Sequence, residues 1–212
     1  LLVVDNSLLS PVGSQPLKHG AGISVSSATK AIDGHGRVMG GVLAGSEELM
    51  TQVAVYCNSC GLAMSPFNAW QLLSGVETLS LRMEKQFDNA LKIAQWLQAQ
   101  PQVQAVYYTG LPDHPQAELI RKQQNGGGIV IGFEVADTDA AWKIVDSVEL
   151  FSRTANLGDV RSTITHPWTT THGRMQPEEK LAANIRPGLV RLSVGLEYVD
   201  DLIDDLKQAL AR

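Results

Sequence analysis

Lys30 is the residue in this sequence best placed for covalent chemistry. It lies in the segment SSATK, just after the short apolar run Ile23–Ser26, and glycines at 34, 36, 40 and 41 follow it. Asp5 ends another apolar run, Leu1–Val4. If both runs are strands of an open α/β sheet, Asp5 and Ser26–Lys30 lie at strand carboxyl ends, where such sheets bind their ligands. A lysine and a carboxylate converging on one small molecule suit pyridoxal 5'-phosphate (PLP). The lysine supplies the amine for a Schiff base, and the carboxylate keeps the ring nitrogen protonated so that the ring can act as an electron sink. A low local dielectric strengthens that pairing, and the hydroxyls of Ser27 and Thr29 are suitable donors to a phosphate. Each residue also has an ordinary structural reading. Asp5 can serve as a turn or cap residue, Lys30 as a solvated side chain, and the hydroxyls as partners of their own backbone. The residue types alone leave both readings open.

The composition narrows the classes. At 212 residues, with 44% hydrophobic and 18% charged, the chain can bury a core of one large domain or of one and a half ordinary ones. A net charge of −5 argues against a nucleic-acid surface. No apolar run approaches the roughly 18 residues that span a bilayer, so no membrane association is expected. Leu1–Ser7 has no basic n-region and is not a signal peptide. The chain opens on Leu1, inside what reads as a buried strand. The expectation is a longer natural polypeptide whose N-terminal portion is absent here. Cys57 and Cys60 have C-x-x-C spacing, but there is no second pair and no histidine at ligand spacing. They are expected to be free thiols in a reducing cytoplasm, with no metal site.

The elements that must position these residues follow from periodicity and punctuation. Leu1–Val4 reads as a strand buried on both faces, with further strands at Ile23–Ser26 and Gly40–Ala44. Glu47–Val55 reads as a helix. Ser65 and Pro66 open a long helical stretch that breaks near Gly75 and ends near Gln100, before Pro101. Beyond it, strands at Val103–Tyr108, Ile129–Val135, Val148–Arg153 and Leu189–Val194 interleave with helices at Gln116–Gln123, Thr138–Ser147, Pro177–Asn184 and Val199–Ala211. That interleaving predicts a second, α/β-type domain.

VVDNSLLSP followed by VSSATKAIDGHGRVMGG resembles the cofactor-binding core of the Cys/Met-metabolism PLP-dependent enzymes, of the cystathionine γ-synthase and sulfhydrylase type. SPFNAWQLLSGVETLSLRM, NLGDVRSTITHPWTTTHGRM and RPGLVRLSVGLEYVDDLIDDL extend the resemblance over essentially the whole chain. It implies an α/β fold of the type I PLP-dependent transferases. Residues 1–88 would be the C-terminal part of the large PLP-binding domain and 89–212 the small domain. It also implies roles: Lys30 as the covalent anchor and proton shuttle, Asp5 at the ring nitrogen, Ser27 and Thr29 at the phosphate. Arg191 would grip the substrate α-carboxylate, with Asn156 and Leu157 close by.

Asn156, within Asn-x-Gly-Asp, and the Gly-x-Gly-Arg form of GHGRVMGG resemble the sulfhydrylase branch. The implied reaction is γ-replacement of succinate in O-succinyl-L-homoserine by sulfide, giving homocysteine. Cystathionine γ-synthase and a γ-lyase are the alternatives within the family. An inactive truncated fragment is the alternative outside it, because the family's ring-stacking tyrosine and phosphate loop fall before Leu1. The family implies a cytoplasmic homodimer or homotetramer. Two departures stand out: Ala31 occupies a position where relatives often carry Tyr, and CNSCG lies where they usually lack cysteine. A nucleotide-binding reading of GHGRVMGG has no Walker lysine or full G-x-G-x-x-G to support it.

Overall fold

A computed structural model describes residues 1–212. Its first 45 residues build a three-stranded sheet of β1 (Val3–Asp5), β2 (Ile23–Ser27) and β3 (Gly41–Gly45), in that spatial order. β1 and β2 are parallel, with Asp5 level with Val25, and β3 runs antiparallel to β2. The carboxyl ends of β1 and β2 therefore share one edge of the sheet. The short helix α1 (Ser10–Gly13) and a tight turn at Pro16–His19 connect them. β1 is not the strand buried on both faces that its apolar run predicts. Within residues 1–212, Leu1, Leu2 and Val3 are exposed, and β1 pairs only with β2.

The helices that follow are α2 (Glu47–Cys60), α3 (Pro66–Glu77) and α4 (Leu79–Gln98). Ser46 caps α2 by accepting the Leu49 N–H at 3.3 Å, and Gly61 closes it in the left-handed conformation. This helix outlasts the expected Val55 by a full turn. Ser65 makes no side-chain cap, but Pro66 still occupies the first turn of α3. The expected break near Gly75 falls at Thr78, whose φ of −111° and ψ of 8° separate α3 from α4.

α4 serves two cores. Leu79, Met83 and Phe87 recur every four residues and pack into a nine-residue cluster with Ala28, Ala31 and Ile32. Ala90, Ile93, Ala94 and Leu97 continue the same face into a 22-residue cluster. That larger core lies on a five-stranded sheet of β4 (Ala105–Tyr107), β5 (Val130–Glu134), β6 (Ser152–Arg153), β7 (Thr163–Thr165) and β8 (Leu189–Ser193), ordered β4-β5-β8-β7-β6. Its pairings are antiparallel except β6 with β7. Interleaved helices have therefore not produced a parallel sheet here. The helices are α5 (Ala117–Gln123), α6 (Thr138–Ser147), α7 (Pro177–Ala182) and α8 (Val199–Leu210). β7 is an element that sequence periodicity does not predict.

Candidate active site

β2 ends at Ser27, and the chain turns at once through a tight helical segment, Ala28–Ile32. Lys30 breaks the regularity of that segment with φ −87° and ψ −125°. The turn is anchored at its base: the Asp33 N–H donates to the Ala28 carbonyl at 2.9 Å and the Gly34 N–H to the Lys30 carbonyl at 2.8 Å. Lys30 itself is half-buried, and its amine enters no salt bridge.

Asp5 lies at the exposed end of β1. The hydroxyl of Ser7 donates to its carboxylate at 2.6 Å and the Ser7 N–H at 2.9 Å. These two bonds hold the Asp5 carboxyl below the usual carboxylate range and outweigh the opposing effect of its slight burial. Ser7 Oγ also accepts the Ser27 N–H at 2.8 Å, so one hydroxyl ties the end of β1 to the end of β2. Ser7 is a residue that the sequence reading overlooks. The signal for it is an Asp followed two residues later by a hydroxyl, the spacing of an Asx-type turn.

Thr29 is turned toward its own backbone. Its hydroxyl accepts the Gly40 N–H at 3.1 Å and lies 3.4 Å from the Gly40 carbonyl, holding the glycine-rich segment against the Lys30 turn. The ordinary reading of a hydroxyl near a turn describes this contact. The oxygen retains further lone-pair capacity.

Residues 155–159 bring the second sheet to the first. Gly158 has φ +81°, and a Cβ there would lie 2.7 Å from Ala31 N and 2.9 Å from the Lys30 carbonyl carbon. The loop backbone thus rests directly on the lysine turn. The Gly158 N–H donates to Ser193 Oγ at 3.1 Å, which fixes the loop on β8. Asn156 donates from Nδ2 to Asp159 at 3.4 Å, and its carbonyl accepts the Thr163 hydroxyl at 2.8 Å. Leu157, half-buried, sits between Asn156 and Gly158. Arg191 projects from β8 and donates from one terminal nitrogen to the Ala155 carbonyl at 2.9 Å. Burial lowers its pKa. The other guanidinium donors remain available for a planar anion.

Two buried charges support the lysine turn and went unnoticed in the sequence. Asp33 accepts the Arg37 N–H at 2.8 Å and Arg37 Nε at 3.0 Å. Burial pushes its pKa up, but the bonds and charge of Arg37 outweigh that and hold it below the usual value. Arg82, from α4, donates to the carbonyls of Ala31 and Ile32 at 2.7 and 3.1 Å. An arginine in a helical pattern ordinarily reads as a solvated side chain, so no sequence signal marks it.

The family model for the Cys/Met metabolism PLP-dependent enzyme matches residues 1–211. The chain belongs to this family. Among curated members, O-succinylhomoserine sulfhydrylase of Pseudomonas aeruginosa is 50% identical over 212 residues, which is 100% of this chain and 53% of that protein. L-methionine gamma-lyase of Porphyromonas gingivalis is 43% identical over 99% of this chain and 53% of that protein. Among solved structures, a cystathionine gamma synthase from Xanthomonas oryzae pv. oryzae, in complex with aminoacrylate and cysteine, superposes with a TM-score of 0.95. It is 40% identical and covers 100% of this chain and 55% of that one. The chain thus spans about half the length of the curated relatives it matches.

Membership in the PLP-dependent family implies pyridoxal 5'-phosphate, and the residues present fit that group. A carboxylate kept ionised by two Ser7 bonds suits a protonated ring nitrogen. A lysine outside any ion pair, on a turn braced by Gly158, suits covalent attachment.

Proposed function

We propose that this chain is part of a PLP-dependent enzyme that replaces the succinyl group of O-succinyl-L-homoserine with sulfide, giving L-homocysteine and succinate. What carries this reading is the 50% identity to the Pseudomonas aeruginosa O-succinylhomoserine sulfhydrylase across the full chain. Asn156 in Asn-x-Gly-Asp and the Gly-x-Gly-Arg of residues 34–37 are consistent with it. A second reading, a γ-lyase or cystathionine γ-synthase, is favoured by the 43% identity to the methionine gamma-lyase and the 0.95 TM-score to the cystathionine gamma synthase.

Bound cofactor supplies the electron sink that stabilises charge at the substrate α-carbon. The roles of this chain's residues follow from their chemistry. Lys30 holds the cofactor through its side-chain amine. The same amine would serve as the base that takes the substrate α-proton and returns it. Asp5 pairs with the ring nitrogen. Ser27 donates to the phosphate, and Thr29 joins it while bracing Gly40. Arg191 forks onto the substrate α-carboxylate, with Asn156 and Leu157 lining the same end.

Residues 1–88 would close the large cofactor-binding domain and 89–212 form the small one. The handover of α4 from one core cluster to the other between Phe87 and Ala90 supports this division. A homodimer or homotetramer and a cytoplasmic location complete the proposal. Both cysteines are free, and no helix is long and apolar enough to cross a membrane.

The test is a comparison of sulfide and cysteine as acceptors on O-succinyl- and O-acetyl-homoserine, with borohydride reduction and peptide mapping of the cofactor site done on a separate sample. Pyridoxyl fixed on Lys30 and homocysteine formed preferentially from the succinyl ester support the reading. Cystathionine from cysteine at equal or greater rate moves the assignment to the synthase, and α-keto acid release without an acceptor moves it to a lyase.

A further inference from the structure

We infer that Arg82 is a positioning residue for Lys30, setting the direction of its side chain through the backbone of the turn that carries it. The inference rests on the reading of Lys30 as the cofactor lysine.

Arg82 is only 5% exposed, and no carboxylate is among its hydrogen-bond acceptors. Burying a guanidinium without a bonded anion is costly unless its donors are satisfied. Here they are. Nε donates to Thr78 Oγ1 at 3.1 Å, and the two terminal nitrogens donate to the carbonyls of Ala31 at 2.7 Å, Ile32 at 3.1 Å and Gly75 at 2.6 Å. Two of these acceptors are the carbonyls immediately after Lys30, about 50 positions away in sequence. Gly34, at φ +69°, leaves the space the guanidinium occupies, which a Cβ there would overlap.

The Lys30 backbone departs from helical geometry between neighbours that are both held. Gly158 lies against its Cα and carbonyl carbon from the substrate-loop side, and Arg82 grips the next two carbonyls from α4. Nothing in the chain holds the Lys30 side chain by a salt bridge, so its direction is set by this backbone clamp. A fork of several donors in fixed geometry can hold adjacent carbonyls, which a lysine at position 82 could not.

The experiment titrates PLP into the apo form of the unsubstituted protein and of Arg82→Lys, Thr78→Val and Leu97→Ala variants. The readouts are the fraction of Lys30 fixed as pyridoxyl by borohydride and the pH midpoint of the bound cofactor's visible absorbance. Leu97 is buried in the larger core on the same helix and serves as the stability control. Arg82→Lys is expected to raise the half-saturating PLP concentration by about tenfold and to displace the pH midpoint. Thr78→Val, which frees one edge of the guanidinium, is expected to shift both in the same direction by less. Leu97→Ala is expected to lower the melting temperature and leave both readouts in place.

Arg82→Lys unchanged in both readouts overturns the role of Arg82. So does Leu97→Ala moving both as far at equal loss of stability. If Arg82→Lys does not fold, an unchanged Thr78→Val overturns it. Pyridoxyl fixed on a residue other than Lys30 in the unsubstituted full-length protein overturns the reading of Lys30, and the inference with it.

Discussion

Arg191 spends one donor on the Ala155 carbonyl, and the rest of its guanidinium makes no hydrogen bond within the chain. Replacement by Lys keeps the charge and removes the fork. Under the proposed role, Arg191→Lys is expected to cost about 2 kcal/mol of substrate binding, roughly 30-fold in KM, with a smaller effect on kcat. Steady-state kinetics on O-succinyl-L-homoserine check it. His166 gives a prediction about pH. Trp142 Nε1 donates to Thr169 Oγ1 at 3.1 Å, the Thr169 hydroxyl lies 2.9 Å from His166 Nδ1, and His166 Nε2 donates to the Pro187 carbonyl at 2.7 Å. In the neutral ring Nδ1 is the acceptor of the Thr169 hydroxyl. Burial lowers its pKa below 6.5, against the pull of the Pro187 bond. Below that pH the unfolded chain takes up a proton that the fold resists, so stability is full above about pH 6.5 and falls as the pH drops toward the folded value. Urea midpoints between about pH 7 and about pH 5 should decline, and more steeply than in His166→Gln. The positions of Asp5 at the end of β1 and of Lys30 just beyond β2 were legible in the sequence from the apolar runs that precede them. Arg82 was not, because the carbonyls it holds lie about 50 positions away and only the folded chain brings them near; Ser7 and Asp33 have close partners in sequence, Asp5 and Arg37, but such short spacings also occur in ordinary turns.

Elements differ in how openly they declare themselves. α6 and α8 follow their hydrophobic periodicity closely, and Asp137 caps α6 by accepting the Ala140 N–H at 2.9 Å. β7 has only three residues, Thr163–Thr165, between turn-formers, and gives no alternation long enough to read. What makes it a strand is its place between β6 and β8. The connection after α6 is held from a distance. Asp205 on α8, 7% exposed, accepts the N–H groups of Glu149 and Leu150 at 2.8 Å each and of Phe151 at 3.1 Å. Asp205→Ala strands three donors at or near the core and is expected to cost about 3 kcal/mol, measured by denaturant unfolding.

Over the whole molecule, the burial of apolar surface is uneven. No residue of α2 is buried, and Phe67, Trp70, Leu73 and Val76 on α3 are each more than half exposed. Apolar surface gathered in this way is suited to packing against further protein surface, whether more of the same polypeptide or a second copy. Under the proposed homo-oligomer, sedimentation should show a species of at least two chains, and Trp70→Glu should shift it toward the single chain. The two core clusters, of nine and 22 residues, meet along α4 and at β5, where Ile129 and Val130 pack with the smaller and Ile131 and Phe133 with the larger. A fold so divided does not open all at once, because the part with less buried surface yields first. Amide hydrogens of β1, β2 and the Lys30 turn should exchange with solvent sooner than those of β5 and β8. A molecule tethered at Lys30 and gripped at Arg191 would bridge the early-opening part and the late one, so its residence time would be set by the weaker of the two.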